Sequence, residues 1–463
     1  MKPTLLLGLA WLALLAPVET PAQAADERAR PHVVFLFTDD QRADTIGALG
    51  HPHMQTPHLD QLAKAGIVFR NAYCLGGNSG AVCLPSRNML LSGRTYFRWE
   101  GPQAPATDAT FPAAMKAAGY ETYHHGKRGN TALHIQAQFD HNQYLMDQQE
   151  RSSGEPGKVI VDRAIEFLAG RQSEQPLFMY LAFGNPHDPR LAAEKYMARY
   201  ERDKLPLPKD FKPLHPFDNG DQFTRDELLA GFPRTEDEVR RHWHDYCAVI
   251  TALDGHIGRL LAALKEHEMF ENTLFVFSSD QGLAMGSHGL MGKQNLYNAG
   301  MQVPLIVSGP GIRAGETRAL AYVHDIFPTV CDLAGVAIPE GLDGRSQRPV
   351  INGNSEGVRD SLFFAYRDVQ RGIRDERYKL LRYPQVNVTQ LFDLQADPHE
   401  LNNLAGEAAQ AERIESLTAR LRAWQKELGD KAPLVVENSR DPAWNPSDPP
   451  PPKPKGKGRK KQG

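Results

Sequence analysis

The sequence predicts an α/β fold: a large mixed, mostly parallel sheet between helices, followed by a smaller C-terminal antiparallel sheet plus helix. Three observations carry this expectation. Continuous apolar runs at 32–38, 177–183, 273–279 and 303–307 suit strands buried on both faces, as in a parallel sheet. Helical periodicity fills the intervals, at 57–65, 85–92, 111–118, 158–170, 238–266 and 325–334. After about residue 350 the pattern shortens to candidate strands at 361–366, 369–374, 377–382 and 388–393, then a polar amphipathic helix at 406–428. Alternating strands and helices put helices on both sheet faces, and ligands then sit beyond the carboxyl ends of the strands.

The two ends read differently from the middle. Met1-Lys2, the apolar stretch Leu5 to Leu15 and the small residues Ala22-Gln23-Ala24 form a signal-peptide pattern over 1–24. The stretch is short for a membrane span, so export without stable membrane insertion is expected, to the periplasm or outside the cell. A catalytic domain is expected over 25–350, an α+β subdomain over 351–435, and a disordered basic tail over 436–463. From Asp448 onward, six Lys or Arg (453, 455, 457, 459, 460, 461) face one Asp among prolines and glycines, which cannot build a core. This tail is either a solvated segment or a tether to acidic polysaccharide. The net charge of −3 does not fit a nucleic-acid binder.

Asp39-Asp40 end the first apolar run, and Asp280-Gln281 end the third. Adjacent carboxylates repel unless a cation or proton intervenes. Three carboxylates and an amide carbonyl make an all-oxygen donor set that suits Ca²⁺ better than zinc. An Asp-Asp pair after a strand also serves as a turn or cap, and the recurrence at Asp280 favours the metal. The four cysteines, Cys74, Cys83, Cys247 and Cys331, permit two disulfides in an exported protein. A Cys74–Cys83 bridge would exclude Cys83 as a nucleophile. In the segment Cys83 to Arg94, Pro85 suits a helix start and Gly93 its end, which places Cys83 just before the helix N-terminus. The helix dipole there favours an anion, and Arg87 lies one turn away.

This segment resembles the sulfatase signature: Cys or Ser, any residue, Pro, Ser or Ala, Arg, a short spacer, then Gly-Arg. Gly309-Pro310-Gly311, Ile326-Phe327-Pro328-Thr329 and Leu391-Phe392-Asp393-Leu394 are similar to later segments of the same family, so the resemblance covers roughly 30–405. It implies an alkaline-phosphatase-like fold and a formylglycine made from Cys83 by a formylglycine-generating or anaerobic sulfatase-maturing enzyme. It implies one Ca²⁺ held by Asp39, Asp40, Asp280, Gln281 and the modified Cys83. Arg87 would hold the formylglycine hydrate, Lys127 and Lys293 the sulfate oxygens, and His187 would face the leaving-group oxygen. His288 is a further substrate-binding candidate. The family more often has Asn where Gln281 stands. Gly129 occupies a place where most members show His, and His124, His125 and His134 are candidates to replace it.

The chemistry accounts for these residue types. Charge accumulates on oxygen as the S–O bond breaks, so fixed cations aimed there lower the barrier. One hydroxyl of the hydrate attacks sulfur, the other expels sulfate by re-forming the aldehyde, and a general acid protonates the departing alcohol. The expected function is hydrolysis of a sulfate ester, of a sulfated small molecule or glycan. The alternatives are a phosphodiesterase or phosphonate monoester hydrolase of the same superfamily, and a non-catalytic sulfated-glycan-binding protein. Loops near 98–110, 187–235 and 366–370 are expected to form the specificity pocket. Asp188 and Arg190 either read sugar hydroxyls or pair with other charges, and Asp245, Asp254 and Arg259 are expected to be surface or capping charges.

Overall fold

A computed structural model describes residues 30–105, 109–145 and 153–447. The predicted signal peptide lies outside the described residues, as does the expected 436–463 tail from Asp448 onward; residues 436–447 are described and lie against the fold, with Trp444 Nε1 donating to the His215 carbonyl at 2.7 Å.

Eight strands form the large sheet. In chain order they are β1 (His32–Asp39), β2 (Ile67–Tyr73), β4 (Glu121–Lys127), β5 (His141–Leu145), β6 (Leu177–Pro186), β7 (Thr273–Ser279), β8 (Leu305–Ser308) and β9 (Gly315–Tyr322); the two-residue β3 (Gly76–Gly77) belongs to the second sheet. The order across the large sheet is β5-β4-β6-β1-β7-β8-β2-β9. β1 lies between β6 and β7 and is parallel to both. The pairings β4 with β5, β4 with β6, and β2 with β9 are also parallel. β8 departs from the expected parallel run: it pairs antiparallel with both β7 and β2.

The side-chain alternation of β1 shows how the sheet is covered. Val33, Phe35 and Phe37 enter one hydrophobic cluster, with Met89 to Leu91, Phe111 and Phe327. Val34 and Leu36 enter another, with Leu59, Val161 and Leu260. Helices α1 (Pro57–Ala65), α4 (Lys158–Gly170) and α5 (Glu236–Glu266) therefore cover one face. Helices α2 (Cys83–Ser92), α3 (Phe111–Ala117) and α6 (Ile326–Leu333) cover the other. α5 begins where the Thr235 hydroxyl accepts from Glu238 N and three acidic residues fill the first turn. It is long and apolar enough to cross a membrane, but it is buried inside the fold.

Strands β10 (Leu362–Tyr366), β11 (Gln370–Arg374), β12 (Tyr378–Tyr383) and β13 (Val388–Asp393) form an antiparallel meander, with β3 added in parallel at the β10 edge. This second sheet contributes Leu362 to Tyr366, Leu380 and Leu391 to the same cluster as the first, so the two sheets share a core. The final helix, α7 (Ala411–Leu428), is shorter than the expected 406–428, because 404–410 form two 3-10 turns.

Candidate active site

β1 and β7 are hydrogen-bonded neighbours in parallel register, with Thr38 opposite Ser279. Asp39-Asp40 and Asp280-Gln281 therefore emerge side by side at one sheet edge. Asp40 adopts a left-handed backbone conformation (φ 65°). Its N–H donates to Asp280 Oδ1 at 3.0 Å, as does the N–H of Gln281. α2 points its first turn at this edge. Cys83 is the first residue of the helix rather than the residue before it, and Pro85 sits within that turn.

Cys83 Sγ lies 3.2 Å from Asp39 Oδ1, 3.1 Å from Lys293 Nζ and 3.1 Å from Gln281 Nε2. Lys293 Nζ also donates to both oxygens of Asp40, at 2.7 and 2.8 Å. Lys127, at the end of β4, bonds Asp39 Oδ2 directly. Arg87, fully buried, pairs with Asp280 Oδ2 at 2.8 Å and with Asp39 Oδ2 at 3.4 Å. His187 follows β6; its Nδ1 donates to the Asp188 carbonyl at 2.7 Å and its Nε2 is 3.7 Å from Asp40 Oδ2.

These neighbours set the protonation states. Burial alone would raise the Asp39 carboxyl, but Lys127, then Arg87, His187 and Lys293, hold it well below the usual range. Burial, reinforced by Asp39, pushes Asp280 up to about 6 against the pull of Arg87. Burial opposes the charge of Lys293, yet Asp40 keeps it firmly protonated. Burial first, then Asp39, push the Cys83 thiol well above its ordinary value.

The four cysteines are free, so Cys83 is not bridged to Cys74. Ligand atoms of Asp39, Asp40, Cys83 and Asp280 all lie within 4.8 Å of one another. Gln281 turns its amide nitrogen toward Asp40, which leaves Oε1 buried without a hydrogen-bond partner. The three clustered carboxylates fit a hard cation with oxygen ligands, and a flip of the Gln281 amide would turn Oε1 toward them in place of Nε2.

A cavity of about 400 Å³ opens above this group. Among the described residues, Lys127, His187 and Lys293 line it, with Gly129, Asn130, Thr224, Arg225, Asp226 and Gln294. The sequence singles out none of the last four, which lie in irregular segments, although Thr224, Arg225 and Asp226 fall within the expected 187–235 loop. Of the three loops expected to shape specificity, 187–235 reaches this cavity; among the described residues neither 98–110 nor 366–370 lines it, and Tyr366 and Arg367 instead bond Asp221.

Several expected contributors lie elsewhere. His288 is buried, stacks on Tyr297 at 3.9 Å between ring centroids and faces Asp210 at 3.3 Å, so it packs beneath the loop and does not line the cavity. None of the candidates for the place of Gly129 lines it either. His124 is buried and bonded to Asn142, His125 is buried within β4, and His134 contacts the Ala104 carbonyl. Asp254 is no surface charge: it is buried and accepts from His58 N and Leu59 N, and so caps α1 from the neighbouring helix. Asp188 pairs with Arg225.

A mostly parallel sheet, carboxylates at its carboxyl edge and a cysteine in the first turn of the facing helix define a hydrolase of the alkaline phosphatase superfamily. Residues 31–336 match the family described as Sulfatase, and residues 286–427 match the C-terminal region of N-sulphoglucosamine sulphohydrolase. The chain belongs to the sulfatase family and is a sulfuric ester hydrolase.

Among its relatives is an N-acetylglucosamine-6-O-sulfatase of Bacteroides thetaiotaomicron, 29% identical over 93% of this chain and 92% of that protein. Another is an ulvan-active sulfatase of Formosa agariphila, 28% identical over 88% and 83% of the two chains. A solved structure of a protein in complex with its substrate, D-glucosamine-2-N,6-O-disulfate, superposes with a TM-score of 0.73 at 26% identity, covering 88% of this chain and 100% of that one. The phosphonate monoester hydrolase of Agrobacterium radiobacter shares the fold, with a TM-score of 0.74 at 22% identity over 86% and 96% of the chains.

Proposed function

We propose that this chain is an exported sulfatase that removes sulfate from a sulfated carbohydrate, using a formylglycine made from Cys83 and one Ca²⁺. The observation that carries the reading is the placement of buried Cys83 within hydrogen-bond distance of Asp39, Gln281 and Lys293, the last of which lines the cavity. The encoded thiol is a poor nucleophile there, because burial and Asp39 favour its protonated form. Conversion to formylglycine removes that difficulty.

Asp39, Asp40, Asp280 and Gln281 would hold the cation, with the converted Cys83 completing the set. A divalent cation in that place neutralises the carboxylates and supplies positive charge to a sulfate oxygen. As its hydrate, formylglycine offers one hydroxyl to attack sulfur and a second whose deprotonation releases sulfate. Arg87 anchors Asp280 and Asp39 from below. Lys127 and Lys293 present ammonium groups at the cavity and bind the anionic ester. The His187 Nδ1–carbonyl bond fixes the ring so that Nε2 can pass a proton to the leaving oxygen. The carbohydrate assignment draws support from the relatives that act on sulfated sugars. Export draws support from the 1–24 pattern alone.

The test is the mass of the Cys83 peptide from protein made in its own host, together with sulfate release. Conversion lowers the peptide mass by about 18 Da, the difference between thiol and aldehyde. Sulfate release by converted protein, with aryl sulfate cleaved faster than aryl phosphate, supports the reading. Release by protein that retains an unmodified thiol overturns the formylglycine route. Full conversion without release favours the glycan-binding alternative.

A further inference from the structure

Beyond α7 the chain runs back across the fold as a strap. Leu434 is buried in the core that the two sheets share. Val436 exchanges two hydrogen bonds with Asn387, in the turn between β12 and β13, at 2.9 and 3.2 Å. The Arg440 N–H donates to the Gln385 carbonyl at 2.8 Å, and Arg440 Nη1 lies 2.8 Å from Asp218 Oδ2. The Pro442 carbonyl accepts from the Asp218 N–H at 2.7 Å. Trp444 Nε1 donates to the His215 carbonyl, and its indole packs edge-on against Phe232 and Phe223, with ring centroids 5.4 and 6.3 Å away. The strap therefore joins the second sheet to the 215–223 stretch.

That stretch leads directly into Thr224, Arg225 and Asp226, which line the cavity. Residues 212–226 form no helix or strand, so their place depends on what holds them at each end. On the C-terminal side, buried Glu227 accepts from the N–H groups of Met291 and Gly292 at 2.9 and 2.8 Å, which ties the run to the loop bearing Lys293. On the N-terminal side, Asp221 bonds Tyr366 and Arg367, and Phe223, the residue before Thr224, rests against Trp444. The cluster around Cys83 is built on β1, β4, β7 and α2, and none of the strap's hydrogen bonds described above goes to these elements. A change in the strap thus reaches one wall of the cavity and leaves the reacting centre in place.

We infer that Trp444 is a positioning residue for leaving-group binding. By packing on Phe223 and holding the His215 carbonyl, it fixes the Thr224–Asp226 run against which the sugar is bound, while the sulfur chemistry is left to the cluster around Cys83. This inference rests on the sulfatase reading above and deepens it.

The experiment uses fully converted, full-length protein with two probes, glucosamine-6-sulfate and 4-nitrophenyl sulfate, whose ring offers no hydroxyl to the run. Trp444→Ala is expected to raise KM for the sugar sulfate about tenfold with kcat within about threefold, and to change kcat/KM for the aryl sulfate by less than about threefold. Trp444→Phe keeps an aromatic ring against Phe223 and Phe232 and is expected to restore most of the lost KM. Arg440→Gln removes the pair with Asp218 and is expected to raise the same KM severalfold, and it carries the test if Trp444→Ala does not fold. Amide hydrogen exchange should quicken over 217–226 in Trp444→Ala and stay unchanged at Met291 and Gly292, a localised signature that general destabilisation would not produce. Equal losses of kcat on both probes, or an unchanged KM in both Trp444→Ala and Arg440→Gln, would overturn the inference. Wild-type protein that cleaves neither probe would instead overturn the sulfatase reading on which it rests, and one that cleaves only the aryl sulfate would overturn the placement of a sugar on this run.

Discussion

Arg87→Met is the sharpest test of the electrostatics beneath the site. The guanidinium is fully buried, pairs with Asp280 at 2.8 Å and Asp39 at 3.4 Å, and donates to the carbonyls of Thr38 and Phe183 at 3.2 and 3.4 Å. Methionine keeps most of the packing against Phe37, so the change isolates charge and hydrogen bonding. Removing one partner of a buried ion pair costs about 3–5 kcal/mol, because the other charge is left uncompensated. The cost has a ceiling, since Asp280 is already raised to about 6 and escapes its penalty by taking a proton. Without Arg87 its carboxyl rises further, so the variant gains stability relative to wild type as pH falls. Urea unfolding in EDTA is therefore expected to show a deficit of about 3–5 kcal/mol near pH 8 that narrows to about half near pH 5. A deficit below about 1 kcal/mol, or one independent of pH, would refute the picture of a charge-balanced buried cluster.

Three further outcomes are expected. His187→Gln should slow a sugar sulfate about 10²–10³-fold and 4-nitrophenyl sulfate much less, because nitrophenolate departs without a proton; equal losses would remove the general-acid role. Asp254 is pushed up to about 7 by burial despite accepting two backbone bonds, so its stabilising contribution is complete below about pH 4 and is lost as pH rises through about 7. Asp254→Asn should erase that part of the stability–pH curve, a change of up to about 4 kcal/mol across the window; parallel curves would show that Asp254 does not titrate there. On the proposed reading, Ca²⁺ at about 100 times its Kd should raise the unfolding free energy by about 2.7 kcal/mol over EDTA, and Asp280→Asn should abolish the rise. No rise in wild type would count against the metal site.

What could be read from the sequence follows from how each feature is encoded. Buried parallel strands announce themselves as apolar runs, so β1, β6 and β7 were legible, and with them the carboxylates at their ends. β2, β4, β5 and β9 were not legible. β4 carries Thr122, His124, His125 and Lys127 among its buried residues, and β9 opens with exposed Gly315 and Glu316, so neither shows an apolar run. β8 does show one, yet an apolar run says nothing of direction, and its antiparallel pairing emerged only in space. The local signature around Cys83 marked it as the candidate nucleophile because its residues lie within one helix and its end. The Asp188–Arg225–Asp226 ion-pair cluster has no such local record: Asp188 lies 37 residues from Arg225, and the two meet only through tertiary folding. His288 shows the opposite failure, a loop position near the site whose left-handed backbone turns the ring onto Tyr297 instead.

The charges of the site bear on how it would work as a whole. Asp39, Asp40 and Asp280 face Arg87, Lys127 and Lys293, three carboxylates against three cations in a buried cluster. Such a cluster tolerates burial because it is neutral as folded. A divalent cation would raise it to +2, which an anionic sulfate ester and one ionised hydroxyl of the nucleophile would bring back to zero. The same cluster without the cation would have to take up two added negative charges uncompensated. On this account the cation and the substrate are coupled through charge balance, each favouring the other by the linkage that joins any two ligands.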